Sequence, residues 1–429
     1  MIKRFSLYGF LKNQRYFEPF IILFFLDRGL SFTQIGFLIA FRELFINIME
    51  VPSGAIADLC GRRRSMILSF AAYIIAFAVF GFSRVYWHFF IAMAFFAIGE
   101  AFRTGTHKAM IFTWLRLEGR SAEKTKVYGY TRSWSKIGSA VSVVLATAFV
   151  LVMNDYAYVF FFSIIPYIIG VLNFLTYPKE LEGQPEKGLS LRRVLAVLWE
   201  SIRASMVVRR LRRLIVESMA FEGVFKATAD YLQPVLKNAA LLLPILIAWE
   251  DTRRSAVLVG VVYFILYLVS AYASRSSHRV TRYAGGEEGG SRLLWKVVFL
   301  LYLALIPLLF LGYYYVAIIG FIGLYVVQNF WRPILISRFE DYATEAAGAT
   351  VLSIESQAKS VSTMVVAPVL GVLVDLVRAQ NLGGEFWPVA TVAAIIALLI
   401  LATPLKEGGG RGKKAAGVTG SSLQDDIVD

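Results

Sequence analysis

The sequence predicts an all-α membrane protein with twelve transmembrane helices in two pseudo-symmetric bundles of six. Three observations predict this fold class. The chain is 57% hydrophobic and only 17% charged, whereas an ordinary soluble domain has about 25% charged residues. Its apolar residues form runs of about 20, long enough for a helix to cross roughly 30 Å of hydrocarbon. The runs do not alternate apolar and polar residues, as the strands of a membrane barrel would.

The first bundle is predicted over residues 1–176. Its six apolar runs, which we number spans 1 to 6, cover 7–27, 33–53, 65–83, 86–111, 127–151 and 156–176. Residues 177–213 follow and are rich in Arg, Lys and Glu. Their amphipathic part, Leu189 to Val208, is typical of a helix on the membrane surface. We interpret 177–213 as a basic cytoplasmic linker.

The second bundle repeats the count over residues 214–405. Spans 7 to 12 cover 214–236, 256–274, 293–312, 314–336, 347–377 and 386–404. The apolar piece 239–249 is too short to span a membrane, and we interpret it as an extension of span 7 or a re-entrant piece. Residues 406–429 contain many Gly, Lys and Asp, and we predict a disordered cytoplasmic tail.

The basic residues predict the orientation. The net charge is +14, and the arginines and lysines concentrate at one side, in the N-terminus, the turn 54–64, the loop 116–126, the linker and the loop 275–292. The positive-inside rule places both termini in the cytoplasm. The same placement beside the spans argues against a nucleic-acid partner. We expect a multi-pass protein of a bacterial or archaeal cytoplasmic membrane, monomeric and without a cleavable signal peptide.

No pattern predicts a cofactor or a metal site. The three histidines are scattered at positions 88, 107 and 278, and the single cysteine, Cys60, allows no intramolecular disulfide. No Walker glycine loop is present, so we do not expect ATP to be the energy source. A membrane enzyme acting on lipid would need a nucleophile and base that the pattern lacks, so we expect no enzymatic activity.

The turn between spans 2 and 3 carries the most specific motif, GAIADLCGRRR from Gly54 to Arg64. It resembles the G-x-x-x-D-(R/K)-x-G-R-R motif that the major facilitator superfamily has at this place. The matching residues are Gly54, Asp58, Gly61, Arg62 and Arg63. The family's basic residue after the aspartate is replaced by Leu59. The resemblance extends over about residues 5–405.

The resemblance implies the facilitator fold and solute transport by alternating access. It also implies that the five matching residues form a conformational latch, which in the family favours the outward-facing state. From the residue types, Gly54 would allow a close helix approach and Gly61 a turn with positive φ. Asp58 would cap a helix or accept hydrogen bonds from an arginine. The alternative is that the arginines only set the topology.

Charged residues inside the spans mark the candidate site. A charge at mid-bilayer costs about 2.5–3.5 kcal/mol on insertion scales, so it persists where it is paired or lines a wet cavity. Spans 3, 6, 9 and 12 carry almost none, as the four peripheral helices of the facilitator fold would. The candidates for substrate binding or proton coupling are Glu18, Glu43, Glu100, Arg103, Arg132, Glu222, Lys226, Tyr325, Gln328, Asn329 and Glu355.

The charges suggest separate roles. Desolvation favours the neutral form of a carboxylate, which can then carry a proton. The proton-carrier candidates near mid-depth are Glu18, Glu43 and Glu100. The candidates for binding an anionic group are Arg103, Arg132 and Lys226. Helical spacing also allows structural ion pairs within single spans, namely Arg15–Glu18, Glu100–Arg103, Glu222–Lys226 and Glu355–Lys359.

The sequence therefore predicts a secondary active transporter that moves a small polar or charged organic solute and is coupled to protons. One alternative is a proton antiporter of drugs or toxic compounds. The span 5 motif of drug antiporters is only partly present, because Gly129 and Gly138 have the right spacing but the following Gly-Pro is missing. A second alternative is a passive facilitator. The substrate and the direction of transport stay open.

Overall fold

The computed structural model is a bundle of α-helices and has no strand in the part of the chain that it describes. It describes residues 1–182, 203, 208–244, 247–340 and 348–403. Most of the predicted linker and the whole predicted tail 406–429 therefore lie outside the described residues, as does all but Arg203 and Val208 of the predicted surface helix.

Helices occupy each of the first six predicted spans. Span 1 consists of Ile2–Leu11 and Ile21–Asp27, span 2 is Phe32–Cys60, span 3 is Arg62–Phe82, span 4 is Tyr86–Arg103 with Thr106–Leu117, span 5 is Lys124–Met153, and span 6 is Tyr158–Leu175. Span 4 bends at Gly105, whose φ is +78°, a backbone conformation that glycine adopts without strain.

Helices also occupy the six predicted spans of the second half. Span 7 consists of Arg209–Ser218, a π-helical turn Met219–Gly223, Val224–Ala229 and Leu232–Leu242, span 8 is Asp251–Arg275, span 9 is Glu287–Phe310, span 10 is Tyr314–Glu340, span 11 is Gly348–Gln380, and span 12 is Trp387–Ala402. A short helix, Ser277–Tyr283, links spans 8 and 9. The apolar piece after span 7 begins as an extension of that span, which runs to Leu242.

Nine helical stretches in the described residues are long and apolar enough to cross a membrane. They correspond to spans 2 to 6 and 8 to 11. Span 12 is a 16-residue apolar helix. Spans 1 and 7, which open the two halves of the chain, are each broken into shorter helices.

The break in span 1 corrects the expectation of a continuous helix over 7–27. Helix stops at Leu11 and resumes at Ile21. Side-chain amides bond to the backbone here, since Asn13 Nδ2 donates to Gly9 O at 2.7 Å and Gln14 Nε2 donates to Gly138 O at 3.1 Å. Backbone groups freed inside a membrane need such partners.

Gln233 of span 7 completes this arrangement from the other half of the chain. Its Oε1 accepts from Ile22 N at 2.8 Å, and its Nε2 donates to Glu18 O at 3.1 Å. The Gln233 side chain is 1% exposed. One buried amide thus joins the broken regions of both opening spans.

Spans 2 and 11 cross closely at one end of the bundle. We call the end that holds the N-terminus the terminal end, and the opposite end, with the loops around Gly29 and Asn154, the distal end. A Cβ added to Gly36 would lie 2.6 Å from Ala367 O, so only glycine permits this distal approach. The Asp375 carboxylate accepts from Phe32 N at 3.1 Å and from Thr33 N at 2.7 Å. These bonds cap the start of span 2 with a residue of span 11.

Candidate functional site

An ionic cluster lies where spans 2 and 7 meet, near the middle of both. Lys226 Nζ of span 7 donates to Glu43 Oε2 of span 2 at 2.7 Å. Arg42 binds the other carboxylate oxygen of Glu43, with Nε at 3.0 Å and Nη2 at 2.9 Å. The Glu43 side chain is 0% exposed, whereas that of Lys226 is 40% exposed. The buried carboxylate is therefore held by one cation from each half of the chain.

Asp230 lies one helical turn beyond Lys226 and adds a second carboxylate. It lines a small cavity between spans 1, 2, 7 and 11 together with Ile39 and Ala367. Its carboxylate makes no hydrogen bond or ion pair with a described residue. Sequence reasoning did not place Asp230 among the candidates, although its i, i+4 spacing from Lys226 was a usable signal.

Glu18 lies in the break of span 1 and has an exposed side chain. The Tyr267 hydroxyl of span 8 donates to Glu18 Oε2 at 3.4 Å, a long contact. The predicted Arg15–Glu18 ion pair is wrong, because Arg15 Nη2 instead reaches Glu100 Oε2 of span 4 at 2.9 Å. The non-helical backbone between Lys12 and Phe20 removes the spacing on which that prediction depended.

Glu100 is the centre of a second cluster, which lies inside the first half. Besides Arg15, it binds Arg103 of its own span and accepts from the Tyr73 hydroxyl. The Glu100–Arg103 pair confirms the prediction from spacing. Tyr73 belongs to span 3, so a span whose charges are confined to its first turn supplies part of the cluster. Hydrophobicity alone gives no sign of that hydroxyl contact.

The second half has its own buried pairs. Glu355 accepts from Arg332 at 2.7 and 3.1 Å and from Ser218 Oγ at 2.6 Å. Glu222 accepts from Gln328 Nε2 at 3.1 Å. The predicted Glu222–Lys226 and Glu355–Lys359 pairs are therefore wrong. Partners on neighbouring helices reach these carboxylates, whereas the spacing rule considers only a single helix.

Two further candidates of span 10 lie beside Gln328. The Tyr325 ring packs edge-to-face on Phe225 with centroids 5.0 Å apart. Asn329 Nδ2 donates to Tyr325 O at 2.9 Å, so its amide donor is used within its own helix. Glu222, Gln328, Glu355 and these two residues all belong to the second half.

Arg132 lies elsewhere, on the wall of a cavity of about 360 Å³ formed by spans 1, 4 and 5. Lys12 and Lys136 line the same cavity. It belongs wholly to the first half and is nearer to the terminal end than the Glu43–Lys226 pair. The candidate residues thus divide into an interface cluster, one paired cluster in each half and this basic cavity.

The motif after span 2 contacts its own half. Gly61 has φ +93° and joins spans 2 and 3, which confirms the expected turn. Arg62 Nη1 donates to Thr113 Oγ1 at 2.9 Å. Arg63 Nη1 donates to Tyr177 O at 3.1 Å, and its Nε pairs with Glu182 at 3.2 Å.

The described residues show no close approach at Gly54. A Cβ added there would meet no described atom within 4 Å, because Gly54 lies on an exposed face of span 2. The side chain of Asp58 lies outside the described residues. The latch therefore stays a prediction. In the described part of the chain, no group of three or more His, Cys, Asp and Glu residues could hold a metal ion.

Comparisons with known proteins agree with this architecture. The family model of the Major Facilitator Superfamily matches residues 13–354. No curated protein sequence matches the chain significantly. Among solved structures, a variant of the nucleoside transporter NupG aligns with a TM-score of 0.75 at 13% identity, covering 93% of this chain and 98% of that one.

Two other solved structures have similar folds. A POT family transporter in complex with 5-aminolevulinic acid aligns with a TM-score of 0.69 at 16% identity, covering 93% of this chain and 95% of that one. A D-xylose–proton symporter aligns with a TM-score of 0.66 at 14% identity, covering 96% and 98%. At these identities the likeness is one of fold.

Proposed function

Because the chain belongs to the Major Facilitator Superfamily, we propose that it is a secondary active transporter. It moves a small polar or charged organic solute across the membrane by alternating access, coupled to protons. The observation that carries this proposal is the Glu43–Lys226 ion pair, which joins the two halves near mid-depth. Similarity in fold to a D-xylose–proton symporter supports proton coupling.

Because the ion pair joins the halves, protonation of Glu43 changes the free energy needed to separate them. A buried charge that loses its partner costs several kcal/mol, about 3–5 for one side of a buried pair. When spans 2 and 7 move apart, Lys226 leaves Glu43, while Arg42 stays on the same helix as Glu43. A proton on Glu43 removes the charge that holds Lys226 and so lowers the cost of separation. Asp230, four residues after Lys226 on span 7, is a second carboxylate on that side.

We place both termini in the cytoplasm on the positive-inside rule. The distal end is then the outer end. Of the described hydrogen bonds between the halves, those of Gln233, Asp375 and Asn154 lie on the distal side of the Glu43–Lys226 pair. Tyr267 of span 8 also donates to Glu18 of span 1, and nearer the terminal end Ser353 Oγ donates to Glu50 Oε1 at 3.0 Å. These distal bonds between the halves support a state that is closed to the outside.

The test uses the full chain in liposomes that contain a pH-sensitive dye. Solutes from a panel of sugars, nucleosides, amino acids and organic acids are added outside, and internal pH is recorded. We expect at least one solute to move protons with wild-type protein and not with Glu43→Gln. Exchange of labelled solute at equal pH should persist in Glu43→Gln, which controls for folding. Solute accumulation that is indifferent to the pH gradient would contradict the coupling.

A further inference from the structure

The cavity formed by spans 1, 4 and 5 contains none of the residues proposed for proton coupling, and its charged lining residues are all basic. Its volume is about 360 Å³, and Lys12, Arg132 and Lys136 all line it. No aspartate or glutamate is among its lining residues. The other linings are neutral, including Asn13, Ser135 and the ring of Tyr8.

In the described part of the chain, no carboxylate lines the cavity beside the three cations, although Glu100 acts on Lys12 electrostatically. None of them makes an ion pair there, whereas the neighbouring Arg15 and Arg103 share Glu100. Arg132 and Lys136 are four residues apart on one helix face, a spacing at which like charges repel. The Lys12 ammonium lies over the Tyr8 ring, with Nζ 5.5 Å from its centroid. Charge density of one sign in a concave site attracts an anion.

Two close backbone approaches hold the cavity wall in place. A Cβ added to Gly9 would lie 2.8 Å from Thr131 O, and one added to Gly138 would lie 2.6 Å from Phe10 O. The backbones of spans 1 and 5 are therefore in close contact at two places, Gly9 with Thr131 and Gly138 with Phe10. This contact fixes Lys12 of span 1 relative to Arg132 and Lys136 of span 5.

Aromatic rings line part of the same cavity. The His107 ring stacks on Tyr8 with centroids 3.7 Å apart, and it is 7% exposed. Ligand sites combine such apolar walls with a few convergent polar groups and have volumes of about 300–1,000 Å³. The cavity is at the small end of that range, which suits a compact metabolite.

We propose that this cavity binds a small organic anion, with its carboxylate or phosphate group between Lys12, Arg132 and Lys136. The inference rests on the proposed function and names its substrate class. Guanidinium and ammonium groups both form charge-assisted hydrogen bonds with these anions, and arginine can do so with two parallel bonds.

The experiment measures thermal shifts of the purified full chain in detergent. The probes are succinate and ribose 5-phosphate, each compared with its neutral counterpart, succinamide and ribose. We expect at least one anion, and neither neutral compound, to raise the melting temperature in a saturable way. Inorganic phosphate and phosphatidylglycerol micelles form two further arms. A shift from either of these alone, or equal shifts from neutral and charged probes, would overturn the proposal.

Variants then locate the site. Arg132→Gln and Lys136→Gln should each weaken binding about tenfold, the loss of one charge-assisted hydrogen bond. Arg132→Lys keeps the charge and should recover part of the affinity. Lys126→Gln is the matched control, because Lys126 is an exposed residue of the same span and does not line the cavity. Wild-type affinity in both glutamine variants would refute the assignment.

The binding experiment and the liposome transport assay can fail independently of each other. If the liposome assay shows accumulation of a neutral solute and no anion binds, the substrate class is wrong and the transporter proposal stands. If anions bind at the cavity but no solute crosses the membrane, the site stands and the transport proposal fails.

Discussion

Glu43 is a carboxylate that forms an ion pair between the two halves of the bundle. It is fully buried and accepts hydrogen bonds from Arg42 on its own span and from Lys226 on span 7. The sequence indicated both residues as candidates but paired Lys226 with Glu222. Same-helix spacing could not reveal the contact, since the two residues are 183 positions apart in the chain.

The energetic coupling of this pair can be measured. Glu43→Gln leaves Arg42 and Lys226 near each other without an anion, so we expect a lower melting temperature, with a cost of about 3–5 kcal/mol for breaking a buried pair. Glu43→Gln combined with Lys226→Gln removes both charges and should recover much of that loss. Thermal unfolding in detergent gives the double-mutant cycle. Strictly additive losses would show that the two residues do not interact.

Gln233 is the second residue whose contacts the sequence did not predict. Its amide serves Ile22 N and Glu18 O, backbone groups that no helix satisfies. We expect Gln233→Leu to leave both groups unpaired, at about 1–3 kcal/mol for each buried group. Hydrogen exchange should accelerate between residues 12 and 22. The matched variant Gln34→Leu removes a helix cap of span 2 and should leave that segment unchanged.

At the scale of elements, the sequence predicted where helices are but not where they break. Each of the twelve apolar runs contains helix in the described residues, because length and hydrophobicity decide whether a segment can span. The breaks in spans 1 and 7 depend on side chains that replace backbone hydrogen bonds, such as Asn13, Gln14 and Gln233. A hydropathy average cannot show where a side chain replaces a backbone hydrogen bond. The adjacent amides Asn13 and Gln14 were the available signal.

The packing of spans 2 and 11 gives a prediction with an internal control. Gly36→Ala would place a Cβ 2.6 Å from Ala367 O, and such overpacking costs about 1–3 kcal/mol. The state closed at the distal end should lose population by roughly tenfold. Gly54→Ala has space around its Cβ and should have no such effect.

The readout is labelling of Ile39→Cys by a membrane-impermeant maleimide at constant pH, in a background where Cys60 is replaced by serine. Ile39 is 6% exposed and lines the small cavity between the halves. Gly36→Ala should accelerate labelling, and Gly54→Ala should not. Equal rates in both variants would show that the close approach of spans 2 and 11 does not control access.

For the whole molecule, the two halves are joined by different kinds of contact at different depths. Gly36 and Asp375 act at the distal end, through backbone proximity and helix capping. The Glu43–Lys226 pair acts near mid-depth, while Arg62 and Arg63 bind within the first half. A change of state must therefore release an ion pair as well as apolar packing. Protons can act on the carboxylates Glu43 and Asp375 and not on the apolar packing.

Acid should consequently open the distal end. Arg42 and Lys226 face Glu43, and Asp230 lies one turn from Lys226. Protonation of Glu43 removes the attraction to Lys226, so lowering the pH weakens the described state and favours separation of the halves. Spin labels at Arg84→Cys and Tyr313→Cys, in distal loops of opposite halves, report that separation as a longer distance. Glu43→Gln should show the longer distance at every pH, because it carries no charge to lose. A wild-type distance that does not change with pH, or a Glu43→Gln distance that still does, would assign the proton response to another group.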